Sequence, residues 1–184
     1  SVHGSVAASL IEGVIRLAIF IAYLALMARL PDIRRTFMYH GAEHKTINAF
    51  EAGTPLEPEA VQRHSTIHPR CGTTLLLFVL VVAIFVFAAL GQPPLIVRVA
   101  SRVLCVPLIA ADCYEWIRFA ASHIENPFMA AFMSPALALQ RMTTREPDLS
   151  QLEVAIAALS EVIRAEGLEP AAADHPPLAA LAPL

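Results

Sequence analysis

The chain has 184 residues, 57% of them hydrophobic and only 16% charged, with a mean hydropathy of +0.59. That balance excludes intrinsic disorder, which needs few apolar residues and much charge, and departs from the roughly 25% charge of an ordinary soluble domain. A formal net charge of −3 without aromatic–basic clusters excludes a nucleic-acid reader, and three cysteines are too few and too oddly counted for a disulfide scaffold.

The length fits one domain-sized unit. The chain opens at Ser1 rather than Met, which predicts a processed chain or a piece of a longer one. Residues 1–30 hold the first predicted transmembrane helix: from Ser5 to Ala28 the only charges are Glu12 and Arg16, spaced i, i+4 with the acid first. The order of a signal peptide, basic residues before a short apolar core and a cleavage site, is missing. Residues 31–72 form a polar loop rich in His and Cys. Residues 73–91 are the second span: Leu75 to Leu90 is uninterruptedly apolar, and 19 uncharged positions reach about 28 Å as helix.

Residues 95–121 predict a third span kinked at Pro107, with Arg98, Arg102, Cys105, Ile109, Asp112 and Trp116 on one stripe. Charges within a span face a bundle interior or a water-filled cavity, because facing lipid costs several kcal/mol; a helix lying partly on the membrane surface is the alternative. Residues 127–139 are too short to cross and predict a re-entrant or interfacial segment. Residues 148–167 predict an amphipathic helix opened by an Asp148/Gln151 capping box, with Leu149, Leu152, Ile156, Leu159 and Ile163 on its apolar face and Gly167 at its end. The Pro/Ala-rich tail, 168–184, is predicted to be disordered. Arg29, Arg34, Arg35, Lys45, Arg63 and Arg70 place the 31–72 segment and the 148–167 helix on the cytoplasmic side, although Arg98 and Arg102 near the outer end count against that topology. The sequence thus predicts an all-α integral membrane helical bundle, multi-pass in the cell membrane.

The chemistry gathers between the first two spans. His40-Gly41-Ala42-Glu43-His44 is H-x-x-E-H, which on a helix projects two imidazoles from one face with a carboxylate beside them. In the inverted zincin arrangement the two His bind zinc and the Glu is the general base. His68 and Cys71, three residues apart, are further zinc donors. Four ligands, His40, His44, His68 and Cys71, would close the site in the manner of structural zinc, whereas a catalytic site keeps one position for water. Asp112 or Glu115 could add a carboxylate. Cys71 could instead be a nucleophile with His68 or His44 as base, or merely a small buried residue, and the His and Glu side chains could simply be solvated. Arg70 has lipid phosphate, Glu43 and Glu51 as candidate partners. His64 reads as a surface residue, and His3, His123 and His175 fit no pattern.

Through YHGAEHK with INAFE, HPRCGT entering an apolar span, and MTTREPDLSQLEVAIAAL, the chain resembles the YqhQ-like family of bacterial multispan membrane proteins. The resemblance covers about Ile11 to Glu166. It implies that His40, Glu43, His44, His68 and Cys71 belong to a shared polar core of proteins described as predicted metal-dependent enzymes, and that an N-terminal Gly-rich region is missing from this chain. It supplies no reaction.

The expectation is a membrane protein that binds zinc or another divalent transition metal. It would be a hydrolase or peptidase at the cytoplasmic interface, with Glu43 as catalytic base and membrane lipid or a membrane-protein or peptide partner nearby. The rivals are a scaffold or assembly factor stapled by a structural metal, and a transporter using Arg98, Arg102, Asp112 and Glu115 as a charged pathway.

Overall fold

The computed structural model describes residues 2–91 and 93–167. Among them are seven α-helices and no strand. The first, α1 (Val2–Met27), carries its two charges as an exposed Arg16–Glu12 ion pair. Pro31, pre-set for a first helical turn, opens α2 (Pro31–Glu51) with Asp32 beside it at the positive end of the helix dipole. A one-turn α3 (Pro58–Val61) follows, then an irregular stretch to Cys71, which precedes α4 (Gly72–Leu90). Gly91, at a φ of 69° that residues with a Cβ rarely adopt, ends α4. The long α5 (Leu95–Ser122) contains Pro107; α6 (Pro127–Thr143) is capped by the Asn126 side chain, which accepts from the Phe128 N–H at 2.9 Å. The predicted capping box opens α7 (Leu149–Glu166): Asp148 accepts from the Gln151 N–H, and the Gln151 side chain accepts from the Asp148 N–H.

The helices form two packed groups. In one, α4 lies against α1, α5 and α6, and a core of Ile117, Ala120, Ile124, Met133 and Leu137 closes around Phe78 and Leu75. In the other, α7 and α3 cover α2 through Ala42, Ala49, Val61 and Leu152. The segment between the first two apolar helices, read from sequence as a loop, is therefore mostly helix. The 127–139 segment extends to Thr143 and buries Met133, Ala136 and Leu137 against its neighbours.

Two helices, α1 over Ala7–Met27 and α4, are long and apolar enough to cross a membrane. Only 6% and 11% of their most apolar stretches are buried, so neither is an enclosed core helix among the described residues. At 28 residues α5 is longer, but its charges set it apart from those two, and it exposes Leu95, Ile96, Val103, Leu104 and Leu108. The predicted disordered tail, 168–184, lies outside the described residues.

Candidate metal centre

The site is assembled by α2, which uses side-chain donors to hold the irregular stretch before α4. His44 donates from Nδ1–H to the Thr66 carbonyl at 2.7 Å. Lys45, only 4% exposed, donates to the carbonyls of Gln62 and His64, each at 2.7 Å, and pairs with Glu146 at 2.8 Å. One turn on, Asn48 donates to the Ser65 and Ile67 carbonyls at 2.8 and 3.0 Å. Residues 62–67 have no ladder to satisfy their backbone, and these side chains stand in for one. From the other side Gln140 of α6, fully buried, accepts from the His68 N–H at 2.9 Å and donates to the His68 carbonyl and the Thr74 hydroxyl at 2.7 and 2.8 Å. The stretch therefore enters α4 in a fixed position, with Cys71 facing α2.

There His40, His44 and Cys71 converge. One donor atom from each lies within 4.8 Å of the other two. His40 donates from Nδ1–H to the Thr143 carbonyl at 2.9 Å, and its Nε2 faces Cys71 Sγ at 3.2 Å. Both imidazoles thus commit Nδ1 to a backbone carbonyl, which fixes the tautomer and leaves Nε2 as the electron-pair donor, the arrangement that orients histidine ligands around a metal. Ordinary zinc bond lengths at a tetrahedral angle put a sulfur and a nitrogen ligand about 3.6 Å apart, so the His40–Cys71 pair, at 3.2 Å, would open by a few tenths of an ångström around the ion. The donor set of two imidazoles and a thiolate suits zinc.

Electrostatics agree. Burial pushes the Cys71 thiol up, but its hydrogen bonds with His40, His44 and Thr73 outweigh that and bring the thiol down to about 5. The hydrogen bond with Cys71 raises His40 above its ordinary value, against the effect of burial, and the Thr143 carbonyl adds to the rise. Near neutral pH the thiol is a thiolate, the form that binds metal or attacks an electrophile.

Close packing of the scaffold requires Gly41. A Cβ there would lie 2.1 Å from the Arg145 carbonyl oxygen, and the Arg145 N–H in turn donates to the Phe37 carbonyl at 2.9 Å. The segment after α6 is thereby held against α2, which brings the Thr143 carbonyl to His40.

Residues 2–165 match the family model DUF1385, described as a protein of unknown function. The chain belongs to this family. It is 37% identical over 158 residues to the uncharacterized protein YqhQ of Bacillus subtilis, an alignment covering 86% of this chain and 50% of that protein. The chain thus spans about half the length of this relative. No solved structure matches it. The resemblance drawn from YHGAEHK and HPRCGT is to the family that the comparison finds.

Of the residues singled out from sequence, His40, His44 and Cys71 come together and two others stand apart. His68 is buried with its ring centroid 5.9 Å from that of His44, but its Nε2 faces both carboxylate oxygens of Glu51 at 3.4 Å. Glu43 is exposed and borders a groove against α7, beside Tyr39, Ile47 and Val154. Arg70 takes Glu51, one of the partners the sequence left open for it. Asp112 and Glu115 are exposed, and Glu115 sits 3.9 Å from Arg118. His64 is half-buried, with Nε2 3.1 Å from the Thr54 hydroxyl. Glu51 itself was missed as a site residue, though it stands seven positions after His44, two helical turns along the same face. Gln140, Lys45 and Asn48 carry no sequence signal, because single polar residues on helices look alike until the fold shows what they touch.

Proposed function

We propose that the chain is an integral membrane zinc protein and a hydrolase acting at the cytoplasmic membrane interface. On this reading α1, α4 and α5 cross the bilayer, α6 is the re-entrant or interfacial element, and α2, α3 and α7 form the cytoplasmic face. His40, His44 and Cys71 hold the ion. The observation that carries the proposal is the convergence of these three donors with both imidazoles locked through Nδ1. Three protein ligands leave a fourth position for substrate or water, which is the catalytic rather than the structural pattern. Bound zinc supplies Lewis-acid polarisation of a carbonyl or phosphoryl oxygen. His68 takes part as a proton acceptor, its Nε2 held by Glu51, which Arg70 anchors. Glu43, the carboxylate of H-x-x-E-H, is the other candidate base. Substrates reaching this face are membrane-adjacent peptides or lipids.

Metal analysis of protein purified without chelators tests the reading, with about one zinc per chain expected and its loss in His44→Ala. X-ray absorption should find two nitrogens, one sulfur and one light exchangeable donor. Metal-free protein would overturn it, and a third histidine nitrogen in place of the exchangeable donor would indicate a closed structural site of the scaffold kind. Once a substrate is found, Glu51→Gln should abolish turnover while zinc is retained. If Glu43→Gln does so instead, the sequence motif rather than the His68–Glu51 pair identifies the base.

The His40–Cys71 contact also favours a second reading, a metal-free thiolate–imidazolium pair. Its signature is iodoacetamide labelling of Cys71 at pH 6 that added zinc does not suppress.

A further inference from the structure

We infer that a cavity at the other end of α4 binds an anionic phospholipid, its phosphate held by Arg98 and Arg102 and an acyl chain along α1 and α4. The cavity, of about 530 Å³, lies between α1, α4 and α5. Its walls are apolar along Leu17, Val79, Leu80 and Ile84, while Arg98 and Arg102 stand at the Gly91 end. Arg102 lies over the Phe87 ring, 4.7 Å from its centroid. Phe87 is 16 positions beyond Cys71, about 24 Å along the helix. This is therefore a separate site from the metal centre, facing the opposite end of the two apolar helices.

The charges are unbalanced in a way that specifies the ligand. Glu12 is the one carboxylate among the lining residues, and Arg16 already pairs with it. Each remaining guanidinium offers five N–H donors, yet their hydrogen bonds among the described residues are long contacts, Arg98 to the Pro93 carbonyl at 3.2 Å and Arg102 to the Arg98 carbonyl at 3.3 Å. Arg98 Nε is buried and has no hydrogen-bond partner among the described residues. Two cations beside an apolar slot need an anion, and a planar guanidinium pair matches phosphate oxygens in a bidentate manner. The apolar walls select a phosphate that carries a hydrocarbon chain over a free one. The inference rests on α1 and α4 lying in a membrane, which resistance to carbonate extraction tests separately.

Native mass spectrometry of the full chain in neutral detergent, titrated with dioleoyl phosphatidylglycerol, dioleoyl phosphatidylcholine and inorganic phosphate, tests it. Phosphatidylglycerol should bind at least about tenfold more tightly than phosphatidylcholine, and R98Q and R102Q should each weaken it about tenfold, since each removes charge-assisted hydrogen bonds. R34Q/R35Q, at the start of α2 and away from this cavity, should leave the preference unchanged. Equal binding of the two lipids, a preference carried by Arg34 and Arg35, or full competition by inorganic phosphate would each overturn the proposal. The wild-type comparison of headgroups decides it even where a variant does not fold.

Discussion

The two ends of α4 treat polar groups in opposite ways. At the Cys71 end, Lys45, Asn48, His44 and Gln140 each donate to specific backbone carbonyls at 2.7 to 3.0 Å. At the Gly91 end, Arg98 and Arg102 line an open space and, among the described residues, make hydrogen bonds only beyond 3.1 Å. At the first end the donors are matched to acceptors, although the Asn48 and Gln62 amide oxygens find no partner among the described residues; matched donors specify one arrangement, whereas cationic donors left over stay ready for a ligand. The first end is thus a built scaffold that presents three donors to an ion. The second is a receptor lacking its counter-charge.

Glycine substitutions should break the comparison most strongly. Both ends contain a glycine where two segments approach closely, but the neighbours differ. A Cβ at Gly41 meets a backbone carbonyl at 2.1 Å, whereas one at Gly13 meets the Ile84 side chain at 2.5 Å. Backbone held by its own hydrogen bonds cannot step aside, while an isoleucine can change rotamer. Gly41→Ala should therefore destabilise by more than about 4 kcal/mol and abolish metal retention, and Gly13→Ala by about 1–3 kcal/mol with the metal kept. Thermal melts of both variants beside zinc content check this. Equal losses would mean that the close contact at Gly41 relaxes.

Next in size is Gln140→Leu, which strands the His68 N–H, the His68 carbonyl and the Thr74 hydroxyl in a buried place. With about 1–3 kcal/mol for each group that cannot find water, a loss of about 2–4 kcal/mol is expected in denaturant or thermal unfolding. Arg102→Met at the other end, measured in zwitterionic detergent without anionic lipid, should change stability by less than about 1 kcal/mol, because apolar replacement of a half-buried, poorly paired ion is close to neutral.

Acid should separate the ends further. Cys71 is depressed to about 5 in the fold, so its contribution is full above the ordinary thiol range and is lost as pH falls through about 5. His40 is raised by the same contact, so its contribution is full below the ordinary imidazole value and is lost as pH rises through the raised one. Metal-free protein should accordingly gain stability from the pair between those two limits, and Cys71→Ser should remove that gain. With zinc present, acidification below about 5 should release the ion as its ligands protonate. A melting curve whose difference from Cys71→Ser is flat from pH 4 to pH 9 would rule the pair out.

How much of this was legible in the sequence depends on the range of the signal. The apolar run of α4 and the capping box of α7 are local, so composition and spacing sufficed. His40 and His44 share a face by helical period alone. Cys71 is legible, but its pairing with His68 rests on donor type and a spacing of three in a loop; the irregular stretch before α4 directs His68 to Glu51 instead. The same face argument, extended two turns, would have reached Glu51. No local pattern could show that Gln140, 72 positions from His68, bridges both of its backbone groups. The stripe on α5 was read as one charged path, yet Arg98 and Arg102 line the cavity while Asp112 is exposed, because the helix faces α1 and α4 at one end and leaves that pocket further along.

The smallest expected effect lies on α7, which covers α2 at the scaffolded end. Asp148 is exposed, and the hydroxyl of Ser150 and the N–H of Gln151 donate to its carboxylate at 2.6 and 2.9 Å. These bonds, the Ser150 hydroxyl first, hold the carboxyl below its usual range. A carboxyl depressed in the fold stabilises above its unfolded value, and the contribution fades as pH falls through the folded one. Asp148→Ala should therefore lower the melting temperature modestly at pH 7, and the gap to wild type should narrow below about pH 4, where the unfolded carboxyl starts to take its proton. Asp148→Asn keeps an N-cap acceptor without the charge at the helix start, so its loss should be smaller and nearly independent of pH. Since Leu152 packs in the same core as Ala42 and Ala49, loosening α7 should also speed hydrogen exchange along α2 while leaving α1 and α5 unchanged. Faster exchange spread evenly over all the helices would show that the two ends of the molecule open together, and the contrast between them would not hold.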